Sequence, residues 1–258
     1  MVSRSILAKY YQIDLQTTGF FHYQHNDYYF SKQRDLSLYQ LYINMTHFTP
    51  YYIQNNIFNQ PVSQGYVLYK YLNCNLDVEK IIDNSLKIID QRSVKLIKKD
   101  WIELMDESQK YKKNHLIYHY NFALGELAIE LFNYYFPKDQ KIFLGIEHQR
   151  AYPNIQYICN PDNLFVTTRI YDLSYLFLQD FLTLEQLTMI IDSKRLTQID
   201  IMIFLCQSIF PVYFFQQVIQ NQVDERQEYQ FLTNHKSHLQ QLIMLFKHYI
   251  PIPDIYWL

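Results

Sequence analysis

Only four of the 258 residues are glycine, where average usage of about 7% would put roughly 18, and this scarcity limits what the backbone can do. Phosphate-cradling loops draw on glycine, because a residue without Cβ takes positive φ freely and lets a ligand approach the main chain. The chain accordingly has no Walker-type phosphate loop, no dinucleotide glycine fingerprint and no Gly-x-Ser-x-Gly elbow. A His-Glu-x-x-His metal motif is missing as well. P-loop, Rossmann, serine-hydrolase and zincin chemistries lose support together.

In place of glycine the chain has rings, 25 Tyr and 18 Phe, within a hydrophobic fraction of 49%. That is ample apolar surface for one large domain or two packed lobes. The rings are expected to make a tyrosine-lined core rather than a dedicated binding surface. Twenty-three basic and 25 acidic side chains leave a net charge of −2, too little basic field to draw in nucleic acid or anionic lipid. Cys74, Cys159 and Cys206 are far apart and read as reduced, mostly buried thiols. The N-terminal residues lack a secretory signal's apolar stretch, so the expected location is cytoplasmic. Residues 201–219 approach membrane-spanning length, but Gln207, Ser208, Pro211, Gln216 and Gln217 interrupt them. Two buried helices broken near Pro211 are expected there, and no transmembrane segment.

The periodicities predict an α/β (α+β) chain. Residues 1–72 read as a small lobe containing a short helix at 8–11 and strands at 20–25 and 28–32 around the Asn26-Asp27 turn. A helix over 36–48 carries Leu38, Leu41, Tyr42, Met45 and Phe48 on one face, and a further strand follows at 65–72. Residues 73–258 read as a mainly helical lobe. Helices are expected from Asp77 to Asp90, from Leu116 to Tyr135, and over 171–180, 184–192, 198–220 and 228–249. Short strands at 143–146, 156–159 and 164–166 interrupt them. Lys95, Lys98, Lys99, Lys110, Lys112 and Lys113, diluted by Glu103, Asp106 and Glu107, read as a solvated helical face. His115 and His119, four apart, read as a surface pair rather than metal ligands.

Three local motifs go further: Leu124-Gly125-Glu126-Leu127-Ala128 in the long helix, His148-Gln149-Arg150 after a short strand, and Tyr171-Asp172-Leu173-Ser174 opening the next helix. Together with the element order, they resemble the aminoglycoside phosphotransferase-like family, and within it the spore-coat-kinase-related branch of YutH and CotS type. The resemblance runs from Tyr10 to about the last helix. It implies a bilobal protein-kinase-like fold, with an antiparallel-sheet N-lobe and a helical C-lobe.

In working members of such families a His-x-Asp loop supplies the carboxylate that accepts the substrate's proton, and a downstream Asn and Asp hold magnesium. His148 matches, but Arg150 stands where that Asp belongs, and a guanidinium has no acceptor atom. The Asn position falls on Ile155, with Asn154 one residue short. The next carboxylate falls on Asp162 or Asn163, depending on the gap. Lys32 matches the phosphate-contacting lysine, yet the helix expected after it holds no Glu, and Gln40 is the nearest substitute. The resemblance gives Asp172 a structural role.

These departures imply a degenerate kinase, a pseudokinase that binds or scaffolds a protein partner without transferring phosphate. One alternative is an active ATP-dependent small-molecule phosphotransferase. It would place Lys32 on the phosphate, Asp162 on magnesium and His148 as a stand-in base, with ATP and magnesium as cofactors. A second is a structural or assembly protein that docks through its aromatic-rich surface. No metal site is expected outside the first alternative.

Overall fold

The computed structural model describes residues 82–83, 86–111, 116–148, 164–193 and 195–255, together with strand segments at 16–19, 22–25, 28–32 and 66–70. The chain divides into two compact units, Met1–Asn84 with His148–Phe165, and Ser85–Glu147 with Val166–Leu258. The fold is α+β.

The first unit contains a four-stranded antiparallel sheet of β1 (Gln16–Gly19), β2 (His22–His25), β3 (Tyr28–Lys32) and β4 (Tyr66–Lys70), arranged in that order. His25 pairs with Tyr28 across Asn26-Asp27, a two-residue connection of the kind that closes a hairpin. The expected strands on either side of that turn, and the one following Gly65, are therefore present. β1 is an addition, and its register with β2 shifts between Thr17 and Gly19. The helices expected over 8–11 and 36–48 lie outside the described residues, as do Asp77, the strand expected over 156–159 and the lobe boundary after residue 72.

The second unit opens on a strand where a helix was expected to reach Asp90. β5 (Asp90–Ser93) pairs antiparallel with β6 (Lys141–His148), Asp90 opposite Leu144 and Ser93 opposite Lys141. The Ile89 amide already joins this ladder through the Leu144 carbonyl, at 2.9 Å. Cross-strand pairing here outweighs the local helical spacing. β7 (Leu164–Thr168) completes a three-stranded sheet in the order β5-β6-β7.

Seven helices are described: α1 (Val94–Gln109), α2 (Leu116–Tyr135), α3 (Tyr171–Leu178), α4 (Leu184–Asp192), α5 (Gln198–Ile209), α6 (Val212–Gln220) and α7 (Glu225–Phe246). In α1, Val94, Ile97, Trp101, Met105 and Ser108 are buried at spacings of three and four, one stripe of a helix. Its outer face carries the Lys99–Glu103 and Lys110–Glu107 ion pairs, as expected of a solvated lysine-rich surface. α2 packs on α1, and a Cβ at Gly125 would lie 2.8 Å from Met105 Sδ. Glycine is what allows the close approach.

The segment Gln198–Gln220 is, among the described residues, the one long and apolar enough to cross a membrane, yet 67% of its most apolar window is buried inside the fold. Helix α5 stops at Ile209 and α6 restarts at Val212, so the break near Pro211 is where the sequence puts it. No clear transmembrane segment is present among the described residues.

Among the described residues the buried rings are chiefly phenylalanines, with Phe132, Phe204, Phe215 and Phe246 nearly inaccessible. Trp101 stacks on Phe210 at 4.5 Å, and Phe204 meets Phe246 edge-on at 5.5 Å. Tyr118 and Tyr135 are buried, whereas Tyr111, Tyr134 and Tyr229 face outward. A phenol hydroxyl needs a partner once buried, and Tyr118 has one in Ser108 Oγ at 3.2 Å.

Candidate functional site

Strand β6 leads directly into the His148-Gln149-Arg150 segment, and its period of two sorts its residues. Ile142 and Leu144 point one way into the core, while Phe143, Gly145 and Glu147 share the opposite face. On that face the Arg169 guanidinium lies over the Phe143 ring, 5.1 Å from its centroid. A Cβ at Gly145 would sit 3.1 Å from Arg169 Cα and 2.8 Å from Glu147 Oε1. The backbone beyond β7 therefore crosses β6 where side-chain volume is missing.

Glu147 is fully buried, and its Oε2 accepts the Asp172 backbone N–H at 2.7 Å. Helix α3 needs that acceptor. Its cap residue is Ile170, which supplies no side-chain hydrogen bond, and the first amides of any helix have no partner within it. Glu147 thus does from a neighbouring strand what Ser or Asp usually does at the cap, its carboxyl oxygen accepting one of the first amides of the helix. Asp172 is itself buried in the first turn.

One residue before α3's cap, Arg169 is held on all sides. Its Nε donates to Asp200 Oδ1 at 3.1 Å and its Nη2 to Asp200 Oδ2 at 2.6 Å. Nη1 donates to the Leu86 carbonyl and Nη2 to that of Arg195, both at 3.2 Å. Asp200 in turn closes the capping box of α5, accepting from Thr197 N at 2.8 Å and Thr197 Oγ1 at 2.6 Å. Thr168 Oγ1 adds a buried bond to Gln207 Oε1 at 2.7 Å. The end of β7 is riveted to α5, and the ionised groups at this corner serve structure.

Of the residues singled out from sequence, His148 is the last residue of β6, and Lys32 is the last of β3, opposite Tyr66. Only their strand positions are described; Arg150 and Asp162 lie outside the described residues. His119 is exposed, and His115 lies outside the described residues. Among the described residues no group of three or more His, Cys, Asp or Glu side chains is placed to hold a metal. Cys206 is a buried free thiol, and burial pushes it far above its ordinary pKa; Cys74 and Cys159 lie outside the described residues.

Sequence reasoning missed Glu147 and the Arg169–Asp200 pair. Thr197-x-x-Asp200 did carry a legible signal, since a hydroxyl followed three residues later by an acid marks a helix start. Glu147 gave none, because nothing in a sequence distinguishes a buried carboxylate at a strand end from a solvated one.

No protein-family model, curated protein or solved structure matches this chain.

Proposed function

We propose that this chain is a kinase-fold protein that has lost phosphotransfer and acts by binding a protein partner. The observation that carries this is Arg150. Where the family resemblance calls for a proton-accepting carboxylate, the chain has a permanent cation with no acceptor atom. The order of described elements is compatible with that lineage. A long helix carries Leu124 to Ala128, strand β6 ends at His148, β7 follows, and α3 opens on the buried Asp172. The resemblance gives Asp172 a structural role, and its side chain is buried in the first turn of α3.

The test is phosphoryl transfer by the purified full chain. With ATP and magnesium it is expected to phosphorylate none of a panel of small hydroxyl and amine acceptors, while affinity capture from its own cells recovers a reproducible protein partner. ATP-dependent phosphorylation of an acceptor, lost in Lys32→Ala or Asp162→Asn, would overturn the proposal.

A further inference from the structure

Helix α7 carries a buried carboxyl that no cation neutralises among its recorded contacts. Glu228 is 5% exposed, and its side-chain partner is Asn121 on α2, which is wholly buried. Asn121 Nδ2 donates to Glu228 Oε1 at 3.1 Å and to the Ile117 carbonyl at 3.1 Å. The remaining polar atom of that amide, Asn121 Oδ1, is buried and has no hydrogen-bond partner.

An orphan acceptor beside a carboxyl group is informative, because an acid and an amide are complementary in one protonation state only. A protonated Glu228 has an O–H to donate to Asn121 Oδ1 while its carbonyl oxygen keeps the Nδ2 bond. An ionised Glu228 has nothing to donate, so both a desolvated charge and an unsatisfied carbonyl remain buried. We propose that Asn121 and Glu228 form a protonation-gated latch, which fastens the start of α7 to α2 and loosens as the medium turns alkaline.

The titration agrees in direction. Burial, the dominant cause, raises the Glu228 carboxyl to about 7, and the Asn121 hydrogen bond opposes it more weakly. Helix α7 packs against α2, α3, α4 and α5. Their ionisable groups include His119 and Glu126 on α2, Asp172 on α3, Glu185 and Asp192 on α4, and Asp200 and Cys206 on α5. None of these contributes to the shift, nor do Arg226 and His235 on α7 itself.

Because the folded-state value lies above the ordinary 4.5, the latch's stabilisation is complete below about 4.5. It is lost as pH rises through about 7. His235, two turns along α7, works in the opposite sense. Burial lowers it from 6.5 to about 4, so its stabilisation is present above about 6.5 and lost as pH falls through about 4. The two nearly cancel at intermediate pH, and only a comparison with a variant isolates the latch.

That variant is Glu228→Gln, whose amide permanently mimics the protonated acid by donating to Asn121 Oδ1 and accepting from Nδ2. Urea unfolding of the full chain is compared for wild type and variant from about pH 5 to about pH 8.5. The unfolding constants are expected to agree within a few-fold at the acid end. At the alkaline end the wild type unfolds more readily by a factor of the order of 100. Parallel profiles would overturn the latch. Carbon NMR of the Glu228 carboxyl in wild type tests it without any substitution: a midpoint near 7 supports it, and one near 4.5 overturns it.

Discussion

Replacing Asp200 by Asn keeps the volume of the side chain and removes its charge, which exposes the energetics of the corner beneath β6. Arg169 is then left buried without an anion, because a single neutral amide oxygen replaces the carboxylate that accepted from Nε and Nη2 at 3.1 and 2.6 Å, while the two carbonyls and the ring face remain. Breaking a buried pair by removing one member costs about 3–5 kcal/mol. Weakening of the α5 capping box, in which Asp200 holds the Thr197 amide and hydroxyl, adds up to about 1 kcal/mol. A net loss of about 4 kcal/mol lowers the melting temperature by roughly 10 °C in a chain of this size. Urea unfolding followed by tryptophan fluorescence reads this directly, because Trp101 is stacked on Phe210 in the core. The double variant Arg169→Met with Asp200→Asn removes both charges, so it is expected to be more stable than the sum of the single losses predicts, by about 2 kcal/mol. If Asp200→Asn costs under about 1 kcal/mol and the cycle shows no coupling, the pair behaves like an exposed one, and the rivet described above does not exist.

Gly125 and Gly145 should respond differently to the same substitution. Gly125→Ala meets the far end of the flexible Met105 side chain and, at 3.2 Å, a Phe215 ring carbon, and it gains helix propensity of about 1 kcal/mol, so its net cost stays within about 1 kcal/mol. Gly145→Ala meets the backbone of Arg169 and the Glu147 carboxylate and costs about 1–3 kcal/mol; equal costs in chemical denaturation would refute the close crossing at β6. His235→Gln keeps a donor for the Ser208 carbonyl, which His235 Nε2 meets at 2.7 Å, without adding a titrating group. Since burial holds that imidazole at about 4, the variant should shed the part of the acid-induced loss that falls between about 6.5 and 4. An unchanged acid limb in the unfolding curve would show that the ring is not held neutral.

Much of the second unit was readable because its helices advertise themselves. Leu116 to Tyr135 and Leu184 to Asp192 have a clear apolar period, and a proline follows the first of them. The break at Pro211 follows from proline's missing amide. β5 was not legible, because Asp90-Gln91-Arg92-Ser93 has no strand signature and becomes a strand only by pairing with β6. Helix α1 was read only as a solvated helical face, because its lysines drew attention to charge rather than to the buried stripe from Val94 to Ser108. At the candidate site, His148 was found on its motif and lies at the end of a strand. The groups that brace that strand, Glu147 and Arg169, are defined by partners 25 and 31 residues away, and local spacing carries no information at that range.

Helix α5 is swallowed almost whole by its surroundings, and part of what swallows it comes later in the chain. Phe204 meets Phe246, and the Ser208 carbonyl meets His235, both on α7. During synthesis the stretch from Gln198 to Gln220, long and greasy enough to suit a bilayer, must wait for that last helix to emerge before it is covered. A polypeptide ending before residue 225 would lack the helix that covers Phe204 and Ser208, and it would present this stretch to whatever apolar surface lies nearest, a chaperone, a membrane or another unfinished copy of itself.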